Sequence, residues 1–80
     1  MSVKGRVAES LIILKEQFGV TDEGNINIEL SRQDLASFAG ATYETVFRVI
    51  NELVNDKMLV LTGKSISIAN YEMLVKLTQD

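Results

Sequence analysis

Two residues of opposite charge, Glu44 and Arg48, are the pair whose types and spacing point most directly to chemistry. A separation of four positions places both side chains on one side of a helix. There the carboxylate of Glu44 would accept hydrogen bonds and the guanidinium of Arg48 would donate two parallel ones. The pair could therefore recognise a partner molecule through its hydrogen-bond donors and acceptors. Tyr43 and Phe47 add an aromatic ring beside each charge. The simpler interpretation is a surface ion pair that contributes about 0.2–0.5 kcal/mol to stability.

Catalysis and metal binding find little support in the composition. The 80 residues include no His and no Cys, so the usual general base and the thiolate nucleophile are absent. Asp22, Glu23 and Glu29 lack the ligand spacing of a calcium loop. Gly63–Ser65 is similar to the end of a phosphate-binding loop, but Met58 stands where that motif needs its first glycine. We therefore predict that the chain is not an enzyme and has no metal site.

The elements that position Glu44 and Arg48 are two short helices within residues 30–53. Ser31 can cap the first helix, with Asp34 completing a capping box, and Thr42 can cap the second. Apolar residues recur at helical spacing, namely Leu35, Phe38 and Ala39 in the first helix and Val46, Val49, Ile50 and Leu53 in the second. The tight turn at Gly40–Ala41 brings these stripes together at a steep angle. This pattern predicts a helix-turn-helix whose second helix, about residues 43–55, offers its outer face to the DNA major groove.

The remaining segments predict the elements that pack around the helix-turn-helix. Residues 3–18 have the periodicity of an amphipathic helix, with Val7, Leu11, Leu14 and Phe18 on its apolar side. Residues 25–30 alternate polar and apolar side chains, which predicts a short strand. Residues 58–62 and 65–69 predict a hairpin that turns at Gly63–Lys64. Asn70 would cap a last helix over residues 71–77, packed through Met73, Leu74 and Leu77.

The predicted fold is a single domain over residues 1–80, mainly α with a small β component. Its element order is helix, strand, helix, helix, β-hairpin wing and short C-terminal helix, which is a winged helix-turn-helix. Three short helices alone would bury too little apolar surface, so the hairpin is expected to close the core.

The outer face of the second predicted helix suggests a division of roles. Glu44 could accept from a cytosine amino group, and Arg48 could donate to the two acceptors of a guanine. Tyr43 or Phe47 could contact a thymine methyl group. For Phe47 the alternative is packing in the core.

Five other residues are candidates for contacts with DNA phosphates. They lie at the two helix starts, one turn into the second helix, and at the wing tip: Arg32, Gln33, Thr42, Thr45 and Lys64. The alternatives are capping alone for Thr42 and plain solvent exposure for Arg32, Gln33 and Lys64.

The charge distribution weakens the prediction of DNA binding but does not exclude it. The formal net charge is −3, which disfavours nucleic acid. Residues 31–65 are nevertheless neutral, so the whole excess of acids lies outside the predicted reading region. The longest apolar run, residues 11–14, is far too short for a membrane span, and no charged n-region followed by an apolar h-region, the pattern of a signal peptide, appears in these residues. We expect a cytoplasmic domain with no membrane partner and modest affinity for double-stranded DNA.

Several segments taken together resemble a known family of bacterial transcription factors. They are Gly5-Arg6-Val7-Ala8, Arg32-Gln33-Asp34-Leu35-Ala36, Gly40, Glu44-Thr45-Val46, Arg48-Val49 and Gly63-Lys64. In this order they resemble the C-terminal DNA-binding domain of the cyclic AMP receptor protein and fumarate-nitrate regulator (Crp/Fnr) family. The resemblance covers nearly the whole chain.

The resemblance assigns roles to individual residues. Glu44 and Arg48 match the family's base-reading glutamate and arginine, while Arg32, Gln33, Thr42 and Thr45 match phosphate-contacting positions. Tyr43 departs from the arginine that the cyclic AMP receptor branch uses for a base contact. Phe47 departs from a residue that is usually small. Both departures affect which operator sequence would be bound.

The resemblance also implies a larger protein. Family members carry an N-terminal sensor domain and a dimerisation helix, so we expect a domain excised from a longer homodimeric regulator that contacts RNA polymerase. A cyclic nucleotide or other effector would bind in that missing domain, with no cofactor in this one. The isolated domain is expected to be monomeric or weakly associating. The alternative function is a winged-helix protein-interaction module without DNA binding, which the acidic balance and Phe47 would allow.

Overall fold

The computed structural model describes residues 2–79, which form four helices and one β-hairpin. The helices are α1 (Val3–Phe18), α2 (Arg32–Ala39), α3 (Tyr43–Asn55) and α4 (Tyr71–Leu77). The strands are β1 (Leu59–Thr62) and β2 (Ser65–Ile68), which follow α3 directly. This is the predicted winged helix-turn-helix, and each helix has the bounds that the sequence indicated.

Helix α1 is the scaffold against which α2, α3 and α4 pack. Ser2 caps it, because its hydroxyl accepts from the Gly5 N–H at 3.0 Å. The buried side carries Val7, Ala8, Leu11 and Leu14, as the periodicity predicts. The helix ends at Gly19, whose φ of 73° removes the chain from helical conformation and whose N–H still donates to the Lys15 carbonyl at 2.8 Å.

Helices α2 and α3 form the helix-turn-helix through caps that the sequence specifies. The Ser31 hydroxyl accepts from the Asp34 N–H at 3.1 Å, and the Asp34 carboxylate accepts from the Ser31 N–H at 3.4 Å, so the capping box is present. After Ala39, Gly40 takes the left-handed conformation with φ 69° and ψ 36°. The Ala41 N–H can then donate to the Ala36 carbonyl at 3.0 Å, and this bond sets the turn into α3.

Replacing Gly40 with alanine is expected to lower the free energy of unfolding by about 1 kcal/mol. A Cβ at this position meets no heavy atom within 4 Å, so the cost is conformational and not steric crowding by neighbours. Urea denaturation measures it. Gly40→Asn should lose less, because asparagine tolerates left-handed φ better than alanine does. Lys57→Gly is the reciprocal variant, because Lys57 is not a glycine but has a positive φ of 62°. This substitution should raise the free energy of unfolding. Equal losses for the alanine and asparagine variants would contradict the conformational explanation.

The wing is the antiparallel hairpin of β1 and β2, in the register that pairs Leu59 with Ile68 and Thr62 with Ser65. Its two-residue turn is Gly63–Lys64, and only Gly63 has positive φ (60°). This matches the predicted Gly-X type of hairpin turn.

The predicted strand over residues 25–30 is not a regular strand. Ile26 donates its N–H to the Ile66 carbonyl at 2.8 Å, and the segment forms only the isolated bridges Val20–Ile26 and Asn25–Ser67. The Ile28 N–H then bonds back to the Ile26 carbonyl at 2.8 Å, which bends the chain away from a ladder. The alternation still sorts the side chains, because Ile26 is buried, Ile28 and Leu30 are half-buried and the residues between them are exposed.

One core lies between the four helices and the hairpin. It contains Val7, Leu11 and Leu14 of the α1 stripe and the whole α3 stripe, together with Leu35, Met58, Leu59 and Leu74. Three residues predicted to be buried are instead about half exposed: Phe18 (41%), Phe38 (49%) and Met73 (43%). Each lies at the edge of a stripe near a helix terminus or on a short helix. Periodicity indicates which side of a helix faces inward, but it does not tell how far the covering elements extend.

Candidate nucleic-acid interface

The start of α3 is held by two threonines. The Thr42 hydroxyl accepts from the Thr45 N–H at 3.3 Å and lies 2.9 Å from the Thr45 hydroxyl, to which it donates. Capping of α3 by Thr42 is therefore present, as predicted. Thr42 is exposed and Thr45 is half-buried.

Helix α3 has a buried side and an exposed side that agree with the sequence periodicity. Val46, Val49, Ile50 and Leu53 are each at most 1% exposed. On the opposite side the residues are exposed, namely Glu44, Arg48, Asn51 and Asn55. The core thus fixes the buried side of α3 and leaves the side chains of Glu44 and Arg48 exposed to solvent.

Arg48 pairs with Glu52 and not with Glu44. Its Nη1 lies 3.4 Å from Glu52 Oε2, one turn further along α3, and the two side chains are 62% and 42% exposed. Glu44 and Glu52 both stand four positions from Arg48, and the alternative interpretation, a surface ion pair with Glu44, is wrong. The Glu44 carboxylate is consequently not paired with Arg48, whereas Arg48 would have to leave a weak surface ion pair before it could contact a partner.

Tyr43 and Phe47 form a stacked aromatic pair on α3. Their ring centroids lie 6.3 Å apart with an interplanar angle of 21°. Each side chain is 46% exposed, so the alternative that Phe47 packs in the core is wrong. Both rings present apolar surface beside Glu44 and Arg48.

Arg32 lies at the angle between α2 and α3. It is half-buried, in place of the plain exposure that was the alternative interpretation. Its Cζ lies 5.9 Å from the centroid of the Phe47 ring, and its Nε is buried with no hydrogen-bond acceptor. Gln33 beside it is exposed.

Lys64 lies in the wing and not on the two helices of the helix-turn-helix. It is exposed in the turn between β1 and β2. Within residues 2–79 it forms no salt bridge, so its ammonium group is not tied to α3. This position fits both interpretations of Lys64, an exposed turn lysine and a contact with a DNA phosphate.

The structure thus brings Arg32, Tyr43 and Phe47 into one cluster beside Glu44 and Arg48, with Thr42 and Thr45 at the same helix start. Sequence reasoning missed several contacts in this cluster, among them Arg48–Glu52 and Arg32–Phe47. The Arg48–Glu52 pair was visible as an i,i+4 spacing but could not be told from Glu44–Arg48. The Arg32–Phe47 contact joins two helices, and no spacing in the sequence indicates it.

A helix-turn-helix followed by a β-hairpin, with the outer face of its second helix exposed, defines the winged helix-turn-helix class of DNA-binding domain. The chain matches the Crp-like helix-turn-helix domain over residues 5–77, and it belongs to that family.

Curated relatives and solved structures agree with this membership. The chain is 32% identical over 76 residues to the CRP-like cAMP-activated global transcriptional regulator of Mycobacterium tuberculosis, covering 92% of this chain and 34% of the relative. It is 30% identical over 67 residues to the cAMP-activated global transcriptional regulator CRP of Salmonella typhimurium, covering 82% of this chain and 32% of the relative. The chain therefore spans about a third of the length of these regulators.

Two solved structures match nearly all of this domain. A transcriptional regulator of the CRP/FNR family from Thermus thermophilus matches with a TM-score of 0.87 and 26% identity, over 100% of this chain and 42% of that one. FixK2 from Bradyrhizobium japonicum matches with a TM-score of 0.83 and 27% identity, over 95% of this chain and 38% of that one.

Membership in this family identifies the chain as a DNA-binding domain of transcription regulators and not an enzyme. Among residues 2–79, no helix has the length and apolar character needed to cross a membrane.

Proposed function

We propose that the domain binds a specific DNA sequence by placing α3 in the major groove. The observation that carries the proposal is the burial of only one side of α3, which leaves Glu44 and Arg48 exposed on a helix held by Val46 and Ile50. In the groove, Glu44 would accept from a cytosine amino group and Arg48 would donate to guanine. Tyr43 or Phe47 would contact a thymine methyl group.

The other candidate residues would orient the domain on the DNA backbone. Arg32, Gln33, Thr42 and Thr45 lie at the starts of α2 and α3, where side chains and helix N–H groups can meet phosphates. Lys64 at the tip of the wing would reach a further phosphate. Only Arg32 and Lys64 of these carry positive charge, so the logarithm of affinity should fall with the logarithm of salt concentration with a slope of about −2.

Chemical-shift mapping with duplex DNA tests the proposal. The duplex is a half-site selected from a random pool, and a scrambled duplex is the control. Perturbations should centre on residues 42–48 and should be stronger with the selected duplex. The competing function is a protein-interaction module, which the half-exposed Tyr43 and Phe47 favour. If duplex DNA perturbs none of these residues even at low salt, the interaction module is the better explanation.

Glu52→Gln is expected to raise affinity for the selected duplex by up to about fivefold. The substitution releases Arg48 from its 3.4 Å ion pair, so less interaction is lost when the guanidinium turns to a base. Glu16→Gln is the matched control, because it removes the same charge from an exposed position on α1. Fluorescence anisotropy measures both variants. Equal gains for the two would show a general charge effect and contradict a role for the Arg48–Glu52 pair.

We extend the proposal to a longer regulator of which this domain is one part. The relatives are described as cAMP-activated global transcriptional regulators and are about three times as long. By analogy, an N-terminal sensor domain would bind a cyclic nucleotide or other effector and a homodimer would engage two half-sites in the cytoplasm. Contact with RNA polymerase would follow. Joining two domains raises effective concentration, so the isolated domain would bind more weakly than the dimer.

A further inference from the structure

We infer that Phe47 positions Arg32, so that the aromatic ring on α3 holds the phosphate-contacting guanidinium on α2 in place. The inference rests on the proposed function and deepens it, because it gives Phe47 a task that does not depend on the base sequence. It also couples two helices that would touch different parts of the DNA.

The geometry at Arg32 supports this role for the ring. Its Cζ lies 5.9 Å from the Phe47 centroid, within the range of about 6 Å over which a guanidinium is attracted to an aromatic face. Arg32 forms no salt bridge with any residue from 2 to 79. Its Nε is buried without an acceptor. The aromatic ring is therefore the interaction that holds the guanidinium beside α3.

The contacts of Phe47 show that this ring is itself restrained and can hold Arg32. It stacks on Tyr43 one turn earlier in α3, with centroids 6.3 Å apart. The backbone of α3 is anchored at its neighbour Val46, which is 0% exposed. A half-exposed aromatic side chain therefore sits on a rigid helix and is restrained by a second ring. Arg32 is thus held against a rigid partner.

Holding the guanidinium in advance affects DNA binding through entropy. A free arginine side chain loses rotamer freedom when it binds a phosphate, and a side chain already restrained loses less. A phosphate contact carries no sequence information, so loss of the positioning effect should weaken binding to the scrambled and the selected duplex alike. The thymine contact proposed for Phe47 would add a further loss on the selected duplex alone.

A double-mutant cycle on a scrambled duplex separates the two effects. Phe47→Leu keeps apolar bulk but removes the aromatic face, and it should raise Kd about two- to fivefold. Phe47→Tyr keeps the aromatic face, so its Kd for the scrambled duplex should stay close to that of the unsubstituted domain. In the Arg32→Gln background, Phe47→Leu should have no effect on the scrambled duplex. An equal loss in both backgrounds would overturn the inference, as would a loss confined to the selected duplex.

NMR of the free domain tests the contact without DNA. The Arg32 side-chain protons should show a ring-current shift that disappears in Phe47→Leu and persists in Phe47→Tyr. Backbone spectra of each variant check the fold, which an exposed substitution should preserve. Absence of the ring-current shift would overturn the Phe47–Arg32 contact, whereas absence of any DNA binding by the unsubstituted domain would overturn the proposed function. The two failures are therefore distinguishable.

Discussion

Leu53→Ala is expected to lower the free energy of unfolding by about 2–5 kcal/mol, the largest effect we predict for a single substitution. Leu53 is 0% exposed in the core, at the end of the α3 stripe. Truncation removes apolar contacts and leaves a cavity, and the rigid neighbours relax only partly. An 80-residue domain has few kcal/mol in reserve, so a substantial unfolded fraction should appear. Thermal unfolding should show a fall in Tm of at least about 10 °C.

Ile13→Ala is the matched control for Leu53→Ala. Ile13 also lies on a helix and loses a similar number of carbon atoms, but it is 41% exposed. Its substitution should change the free energy of unfolding by about 0.5 kcal/mol or less. Similar losses for the two variants would mean that α3 is not anchored through its buried stripe. The rigid presentation of Glu44 and Arg48 would then have no structural basis.

Arg48→Ala should weaken binding to the selected duplex by about 1–3 kcal/mol. The guanidinium would donate two hydrogen bonds to one guanine, and alanine replaces neither of them. The substitution also leaves the Glu52 carboxylate, which had its guanidinium partner at 3.4 Å, unpaired near the negatively charged DNA. Anisotropy titrations with the selected duplex should show the loss. Substituting the guanine that Arg48 contacts should then cost the variant nothing further.

Arg6→Ala provides the control for Arg48→Ala. Arg6 is exposed on α1, so the variant loses the same charge from a surface that the proposal does not place on DNA. It should retain the preference for the selected over the scrambled duplex. If Arg48→Ala retains that preference as well, Arg48 does not read a base. A uniform loss on both duplexes would make it a phosphate contact instead.

Local interactions explain why so much of this fold was predictable from the sequence. The caps at Ser31, Thr42 and Asn70 each involve residues three positions apart, and all three are present. The turns at Gly40 and Gly63 depend on backbone conformations that glycine adopts without steric cost. The helix bounds and the wing follow from these local signals.

The failed predictions of burial depended on neighbours far away in sequence, whereas a local bend decided the failed strand at residues 25–30. Phe18, Phe38 and Met73 satisfied helical periodicity but lie where no other element covers them fully. The segment at 25–30 has strand-like alternation, yet the bend at Ile28 prevents a ladder. A sequence pattern indicates which conformation a segment favours and which of its side chains are apolar. Tertiary contacts decide whether the segment pairs with a strand and whether those side chains are buried.

The candidate site divides in the same way. The exposure of Glu44 and Arg48 followed from the period of the buried stripe, since one side of α3 cannot be buried without exposing the other. The roles of these residues on DNA stay predictions. The choice of Glu52 over Glu44 as the partner of Arg48 depends on side-chain direction, which spacing does not distinguish.

The sequence by itself determined the helices, the caps, the wing turn and the exposed face of α3, because each of these depends on residues within a few positions of one another. Only the tertiary structure decided that Phe47 lies outside the core and that Arg32 rests against it. That contact joins α2 to α3 across the Gly40 turn. It depends on the angle between two helices, which the packing of the whole core sets.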